Sequence, residues 1–385
     1  MRLQNQMRQN NRPPFFPKFL VVVLVILLVA LIVTLIGAPA IAARSFGPAD
    51  RSLNPILRAH YAITLLRSKD ELLTSAQESN FPRKFSIEPD ESVEALCRRL
   101  EDEAYTSSGA LFCTYLVYSG LDRKIQSGTF TLNPELNSIE IAHTITNPEA
   151  RDIAFYIYPG WRLEEIAASI DLSGFEFSGE EFLAYTFAPP DSIRAQLQLP
   201  EQASLEGYLY PGEYSLEPHI DLESTIEVFL SNFRAHMQST ELLEGISAQK
   251  LTFHEALTLA SIIERETRAD EEKATIASVF YNRLAEGMRL QTDPTVQYAL
   301  GFDETEQTWW KTQLTEADMQ VDSPYNTYLY AGLPPGPIAN PSLASLEAVA
   351  YPAQTPYFYF RAKCDGSGTH AFSVTYEEHL NNACP

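Results

Sequence analysis

The chain has few basic residues, few cysteines and few histidines for its length. Of its 385 residues, 28 are Lys or Arg and 50 are Asp or Glu, which gives a formal net charge of −22 at pH 7. Such an acidic surface repels nucleic acid, so it excludes DNA and RNA as partners. The seven His are scattered, and no spacing of His and Cys is typical of a metal site, so we predict no metal and no other cofactor.

Glycine is also scarce, with 17 residues against 25 Pro, and the sequence has no low-complexity run and no internal repeat. These absences argue against a solenoid or a disordered protein and favour an ordered chain. With 45% hydrophobic and 20% charged residues, the chain is long enough for two domains with their own cores.

Charged residues are absent from Phe19 to Ile36, and the apolar character continues to Ala43. This stretch is long enough to cross a membrane as a helix. Residues 1–18 carry four basic residues and no acid, which predicts a cytoplasmic N-terminus and an external chain after Arg44. The alternative is a cleaved signal peptide, because residues 38–43 are small enough for a signal peptidase.

All four cysteines fall in the part that is predicted to lie outside, where disulfides persist. They are Cys97, Cys113, Cys364 and Cys384. Their order favours the pairs Cys97 with Cys113 and Cys364 with Cys384, although four cysteines allow three pairings.

A helix with two glutamates is the clearest candidate for a functional site. Thr252 and Glu255 fit a capping box at its start. Small and aliphatic residues then recur at helical spacing and form an inward stripe of Ala256, Leu259, Ala260, Ile263 and Thr267. Glu264 and Glu266 lie on the two flanks of this stripe. A partly desolvated carboxyl has a raised pKa and can act as a general acid; alternatively, both are boundary residues paired with a neighbouring arginine.

Several runs of residues around and beyond this helix carry distinctive motifs. The central ones are ASIIERET at 260–267, ASVFYNRL at 277–284 and GMRLQTDPTV at 287–296. The flanking ones are LEGYLYP at 205–211, YNTY at 325–328, GLPPGPI at 332–338 and AQTPYFYF at 353–360. Together they resemble the signature of the YceG-like family of endolytic murein transglycosylases, and weaker similarity extends back to about Phe85.

The resemblance implies cleavage of the β-1,4 bond between N-acetylmuramic acid and N-acetylglucosamine in peptidoglycan. It places the general acid at Glu264, which would protonate the leaving oxygen and then accept a proton from the muramyl 6-hydroxyl to form a 1,6-anhydro end. The matching motifs supply the candidates for substrate binding, which are Glu206, Gln291, Asp293, Tyr325 and Asn326. The resemblance also implies that cleavage ends the growth of new strands, with peptidoglycan synthases as candidate partners.

We predict an α+β fold that is anchored in the membrane, with a small LysM-like α/β module followed by a mixed α+β catalytic domain. The predicted segments are a cytoplasmic tail at 1–18, a transmembrane helix at 19–43, a juxtamembrane stalk at 44–84, the LysM-like module at 85–175 and the catalytic YceG-like domain at 176–385. The module is expected from repeated strand–helix units, and whether it binds glycan is open. His370 and His379 are given no chemistry.

Two rival functions remain open. A hydrolytic muramidase would use Glu264 as the acid and Glu206 or Asp293 as the base, and it would leave reducing ends. A non-enzymatic cell-wall scaffold would hold glycan and contact synthetic enzymes. From the sequence we expect Glu264→Gln to abolish cleavage and Glu266→Gln to cost much less.

Overall fold

A computed structural model describes residues 15–76, 81–133 and 135–384. Close packing divides the chain into two compact units, Met1–Asp152 and Ile153–Pro385. Most of the tail that was predicted at 1–18 lies outside the described residues.

The first described residues form a long apolar helix. Helix α1 spans Phe15–Ile32, one π-helical turn covers Val33–Gly37, and α2 spans Ala38–Phe46. The π turn lies just before Pro39, which has no N–H to donate to the helical ladder. From Phe19 to Phe46 the helix is long and apolar enough to cross a membrane, and its most apolar stretch is not buried in the protein. It therefore fits a single-pass membrane anchor.

The first unit contains one antiparallel strand pair and several helices. Its elements are α3 Pro55–Arg67, α4 Lys69–Leu73, β1 Arg83–Ile87, α5 Val93–Asp102, α6 Gly109–Ser119, β2 Gly128–Leu132 and α7 Ser138–Thr144. Strand β1 pairs with β2, with Phe85 opposite Phe130. The segment predicted as a stalk is folded into this unit, because α3 packs on α6 and buries Ala62 and Leu65 in the same core. A disulfide joins Cys97 to Cys113.

The second unit repeats the arrangement of two antiparallel strands that enclose helices, and then adds a helical bundle. Its elements are β3 Ile153–Ile157, α8 Leu163–Ile170, α9 Gly179–Phe187, α10 Asp191–Leu197, β4 Gly212–Leu216, α11 Leu222–Met237, α12 Thr240–Ala248, α13 Phe253–Glu266, α14 Asp270–Ala285, α15 Asp293–Leu300, α16 Leu343–Ala350, β5 Tyr359–Ala362, β6 His370–Ser373 and α17 Tyr376–Asn381. The predicted α+β class is confirmed. The LysM-like identity and the predicted segment boundaries stay predictions.

Helix α13 is the centre of the second unit. Thr252 and Glu255 form the predicted capping box, and each accepts a backbone hydrogen bond from the other residue. Every residue from 256 to 263 is buried, because α13 packs against α14 and α16. The last turn, with Glu264 and Glu266, reaches the edge of the core. The C-terminal hairpin of β5 and β6 pairs antiparallel, and the second disulfide joins Cys364 to Cys384.

Candidate active site

A cavity of about 510 Å³ lies beside the last turn of α13. Its lining residues come from five separate parts of the second unit. They are Glu266 of α13, Arg283 of α14, the turn residues Gln291 and Asp293, Tyr328 of the following loop, and Tyr359, Phe360, Arg361, Ala362, His370, Tyr376 and His379 of the C-terminal region. Polar and aromatic groups therefore converge on one side of Glu266.

A second cavity, of about 530 Å³, adjoins the first one. The two cavities share Glu266 of α13 and the hairpin residues Ala362 and His370. Arg265, Arg268 and the hairpin-loop residues Ser367 and Gly368 line the second cavity only. Glu266 thus lies where the two cavities meet.

Glu266 is half-buried at the edge of the core. Burial raises its pKa to about 8; the negative charge of Asp293 acts in the same direction, and the Arg283 guanidinium opposes both. A carboxyl with this pKa keeps its proton at neutral pH, which is the form that a general acid needs. Glu266 therefore has the electrostatic properties that were expected of an acid on this helix.

Asp293 is held in place by a tyrosine that lines the same cavity. The Tyr328 hydroxyl donates a hydrogen bond to Asp293 Oδ1 at 2.6 Å. Arg283 donates from Nε to the Phe358 carbonyl at 2.7 Å and from Nη1 to the Leu290 carbonyl at 2.5 Å, so it ties the two walls of the cavity together. These contacts fix the charged groups before any substrate binds.

The turn that carries Gln291 and Asp293 is rigid. Gln291 has a positive φ of 52°, and its backbone N–H donates to the Thr327 carbonyl at 3.2 Å. Below it, the buried hydroxyls of Thr295 and Thr327 are 2.8 Å apart, and the Thr292 N–H donates to Thr327 Oγ1 at 3.0 Å. This buried threonine cluster holds the backbone from which the side chains of Gln291 and Asp293 extend to the cavity that Glu266 also lines.

Glu264, the acid that the sequence predicted, lies in different surroundings. Its Oε2 accepts hydrogen bonds from the Ser342 N–H at 3.0 Å, the Ser342 hydroxyl at 2.5 Å and the Ser345 hydroxyl at 2.6 Å. Lys273 Nζ, which is buried, lies 3.3 Å from the same oxygen. Ser342 is the N-cap of α16. Glu264 therefore fastens α13 to the start of α16, and it lines neither of the two cavities.

Glu206 and Tyr325 belong to a second cluster, which also lies away from both cavities. Glu206 is only 2% exposed, burial raises its pKa to about 8, and its Oε2 accepts from the Leu163 N–H at 3.3 Å. The Arg162 guanidinium lies over the rings of Tyr298 and Trp309. The ring centroids of Tyr298 and Tyr325 are 4.8 Å apart. This cluster has the character of a packed polar core.

Asn326 is fully buried and holds the loop that carries Tyr328. Its Nδ2 donates to the Met319 carbonyl at 3.0 Å and to the Val321 carbonyl at 2.9 Å. Its Oδ1 accepts from the Tyr328 N–H at 2.9 Å. Asn326 therefore acts on the site through Tyr328.

Of the six site residues predicted from the sequence, the structure brings Gln291 and Asp293 together, and it joins them to Glu266. Several lining residues were not predicted from the sequence. Arg283, Tyr328 and Tyr359 stood inside the quoted motifs, whereas Arg361, His370, Tyr376 and His379 lie beyond them and reach the site only through the folding of the C-terminal region. In the part of the chain that the structure describes, no three His, Cys, Asp or Glu residues are placed to hold a metal ion.

Comparisons with known proteins agree with this architecture. The model of the YceG-like family matches residues 85–384. A relative named endolytic murein transglycosylase, from Bacillus subtilis (strain 168), is 32% identical over 328 residues, which are 82% of this chain and 87% of the relative. A protein of the same name from Streptococcus pneumoniae serotype 2 (strain D39 / NCTC 7466) is 26% identical over 313 residues, which are 76% of this chain and 56% of that protein.

A solved structure supports the same assignment. The crystal structure of a YceG-like protein from Listeria monocytogenes aligns with a TM-score of 0.55 and 32% sequence identity, and the alignment covers 79% of this chain and 99% of that one. Because the family model matches most of the chain, and because relatives above 30% identity align along most of their length, this chain belongs to the YceG-like family.

Proposed function

We propose that this chain is an endolytic murein transglycosylase that cleaves the bond between N-acetylmuramic acid and N-acetylglucosamine in peptidoglycan strands. The names of its relatives and the family match support this reaction. The observation that carries the proposal is a carboxyl group with a pKa of about 8, that of Glu266, at the junction of two open cavities.

The chemistry follows from the protonation state of Glu266. Its proton passes to the glycosidic oxygen as the bond to the muramyl anomeric carbon breaks, and positive charge develops on the sugar ring. The Glu266 carboxylate then takes the proton of the muramyl 6-hydroxyl, and the hydroxyl oxygen bonds to the anomeric carbon. The products are a 1,6-anhydro end and a free 4-hydroxyl on N-acetylglucosamine. The carboxyl regains its proton, and no water is consumed.

Asp293 has two roles in this scheme. Its negative charge raises the pKa of Glu266, which keeps the acid protonated. Asp293 also lines the cavity in which we place the sugar, so its carboxylate stabilises the positive charge that develops on the sugar ring. The Tyr328 hydroxyl at 2.6 Å keeps the Asp293 carboxylate in one position while this happens. Gln291 lines the cavity as well and can hydrogen-bond an N-acetyl group through its amide.

This proposal departs from the expectation that Glu264 is the acid. Glu264 Oε2 is occupied by two serine side chains, a backbone N–H and Lys273, and Glu264 lines neither cavity. A general acid must reach the oxygen that it protonates, directly or through one water. We therefore assign the acid to Glu266 and a positioning role to Glu264.

Cleavage within a strand requires sugar-binding space on both sides of the acid. The two cavities that meet at Glu266 offer such space, and the hairpin residues Ala362 and His370 form a wall that is common to both. The site is therefore suited to binding the middle of a strand, in agreement with an endolytic mode of action.

The location follows from the N-terminal helix and the tail before it. The four basic residues among residues 1–18 favour a cytoplasmic N-terminus, so we propose that the second unit lies outside the membrane. Two disulfides suit an oxidising external compartment. Cleavage close to the membrane would end the growth of new strands, and we propose peptidoglycan synthases as the partners in that step.

A hydrolytic muramidase is the second candidate, because Asp293 places another carboxylate on the same cavity as Glu266. The two reactions differ in their products, since a hydrolase leaves reducing ends. We would incubate the full chain in lipid nanodiscs with purified peptidoglycan and identify the new ends by mass spectrometry. Ends in 1,6-anhydromuramic acid support the proposal, whereas reducing ends support a hydrolase. If a folded sample releases no new ends, the non-enzymatic scaffold is the function that the result favours.

A further inference from the structure

Three aromatic side chains, which we call the aromatic ladder, lie at the start of the second unit. The ladder consists of Tyr156, Tyr158 and Trp161. The ring centroids of Tyr156 and Tyr158 are 4.3 Å apart, and those of Tyr158 and Trp161 are 4.9 Å apart. Tyr156 is 42% exposed and Tyr158 is 52% exposed, whereas Trp161 is partly buried against the core and anchors the set. Tyr156 lies in β3 and Tyr158 directly after it, and contiguous exposed rings are typical of binding surfaces.

The ladder adjoins the active site through one arginine. Arg265 lines the second cavity next to Glu266, and its Nη1 donates to the Gly160 carbonyl at 3.3 Å. Gly160 lies between Tyr158 and Trp161 and has a φ of 79°, and a Cβ there would lie 3.1 Å from Arg265 Nη1. The backbone of the ladder thus lies directly against a residue of the cleft, and glycine permits that approach.

The loop that carries the ladder is clamped. Asn340 is fully buried; its N–H and its Nδ2 donate to the Trp161 carbonyl at 2.7 and 3.0 Å, and its own carbonyl accepts from the Gly160 N–H at 2.8 Å. Asn340 is two residues from Ser342, which binds Glu264. The backbone at Gly160 and Trp161 is therefore ordered before a ligand binds, which lowers the entropic cost of binding.

The chemistry of the ladder suits a sugar chain. Pyranose rings present apolar C–H faces, which pack on aromatic rings, and hydroxyls, which bond to carboxylates. Glu213 pairs directly with Tyr156 across β3 and β4, and it is exposed on the same face of the sheet. The ladder adjoins the second cavity through Arg265, so we assign to it the ligand of the proposed function, a glycan.

We infer that the aromatic ladder is an additional glycan subsite, which holds the part of the peptidoglycan strand that leaves the cleft on the side of the second cavity. This inference rests on the proposed function. It predicts that long strands bind more tightly than short ones, and that the difference depends on Tyr156 and Tyr158.

The test measures strand binding by the full chain in nanodiscs, with Glu266→Gln present in every variant to stop turnover. Calorimetric titrations compare purified long glycan strands with a tetrasaccharide. We expect the double variant Tyr156→Ala, Tyr158→Ala to weaken binding of long strands about tenfold and to leave tetrasaccharide binding unchanged. Tyr156→Val with Tyr158→Val, which keeps residues that favour strands, must show the same loss.

The matched control is Phe187→Ala, which removes a ring of similar exposure, 45%, from the end of α9. It should bind long strands as tightly as the parent protein. The inference is overturned if either double variant keeps the affinity of the control for long strands, or if both strand lengths lose affinity equally. Failure of the proposed function is a separate result: the protein without Glu266→Gln then releases no anhydro ends, whatever the binding data are.

Discussion

Glu264 and Glu266 are two residues apart on one helix, yet their carboxyl groups have opposite surroundings. Glu264 accepts hydrogen bonds from Ser342 and Ser345 and pairs with the buried Lys273. Glu266 faces two cavities and has a pKa raised to about 8 by burial and by Asp293. The helix thus supplies one carboxylate that holds α13 to α16 and one carboxyl that is available for proton transfer.

The first prediction concerns Glu264. In Glu264→Gln the ion pair with Lys273 is lost and a buried ammonium keeps only Asp270 as a charged partner. We expect the free energy of unfolding to fall by about 1–3 kcal/mol, with cleavage per folded molecule retained. Thermal unfolding in nanodiscs and a cleavage assay measure the two effects. The double variant Glu264→Gln, Lys273→Met should regain part of the lost stability. If Glu264→Gln alone is stable but inactive, Glu264 is the acid and our assignment is wrong.

The second prediction concerns pH. The charge of Asp293 raises the pKa of Glu266, so Asp293→Asn should lower that pKa. Since the protonated form of Glu266 starts the reaction, a lower pKa moves the loss of activity on the alkaline side to lower pH. The rate should also fall about tenfold to a hundredfold, because positive charge on the sugar is less stabilised. A pH profile of kcat/KM measures both.

Tyr328→Phe is the control for this variant, because it removes the hydrogen bond to Asp293 but keeps the charge. We expect a smaller loss of rate and an alkaline limb close to that of the parent protein. If the alkaline limb of the pH profile does not shift in Asp293→Asn, Asp293 does not control the pKa of Glu266.

The helices and the strands could largely be predicted from the sequence, because local signals determine them. The capping box at Thr252 and Glu255 and the inward stripe of the same helix both rest on short-range patterns. The difference between the surroundings of the two glutamates could not be predicted. It depends on Ser342, which is 78 residues away in sequence from Glu264, and on a hairpin that arrives about one hundred residues later.

The third prediction concerns Gln291, whose positive φ of 52° complicates ordinary substitutions. Gln291→Gly tolerates this backbone conformation and removes the side chain from the cavity. We expect KM to rise about tenfold with a smaller change in kcat, because an orienting hydrogen bond is lost. Gln291→Asn keeps the amide and also tolerates a positive φ, so its KM should lie between those of the parent protein and the glycine variant. An unchanged KM in the glycine variant would exclude Gln291 from substrate binding.

The fourth prediction compares the two disulfides. The Cys364–Cys384 bond links the loop of the hairpin, which forms a wall of both cavities, to the C-terminal end of the chain. Replacing both cysteines by alanine should loosen that wall and lower cleavage at least about tenfold, and it should reduce stability by about 2–4 kcal/mol. Cys97→Ala with Cys113→Ala is the matched control, since that bond lies in the first unit. Equal activities of the two double variants would show that the hairpin needs no covalent support.

The most direct test of the assignment of the acid compares Glu266→Gln, Glu264→Gln and the parent protein on purified peptidoglycan, with the new chain ends identified by mass spectrometry. Exposed Glu271 of α14 provides a neutral control, Glu271→Gln. We predict 1,6-anhydromuramic acid ends from the parent, from the control and from folded Glu264→Gln, and none from Glu266→Gln. Anhydro ends released by Glu266→Gln at the rate of the parent protein would contradict the assignment of Glu266 as the general acid.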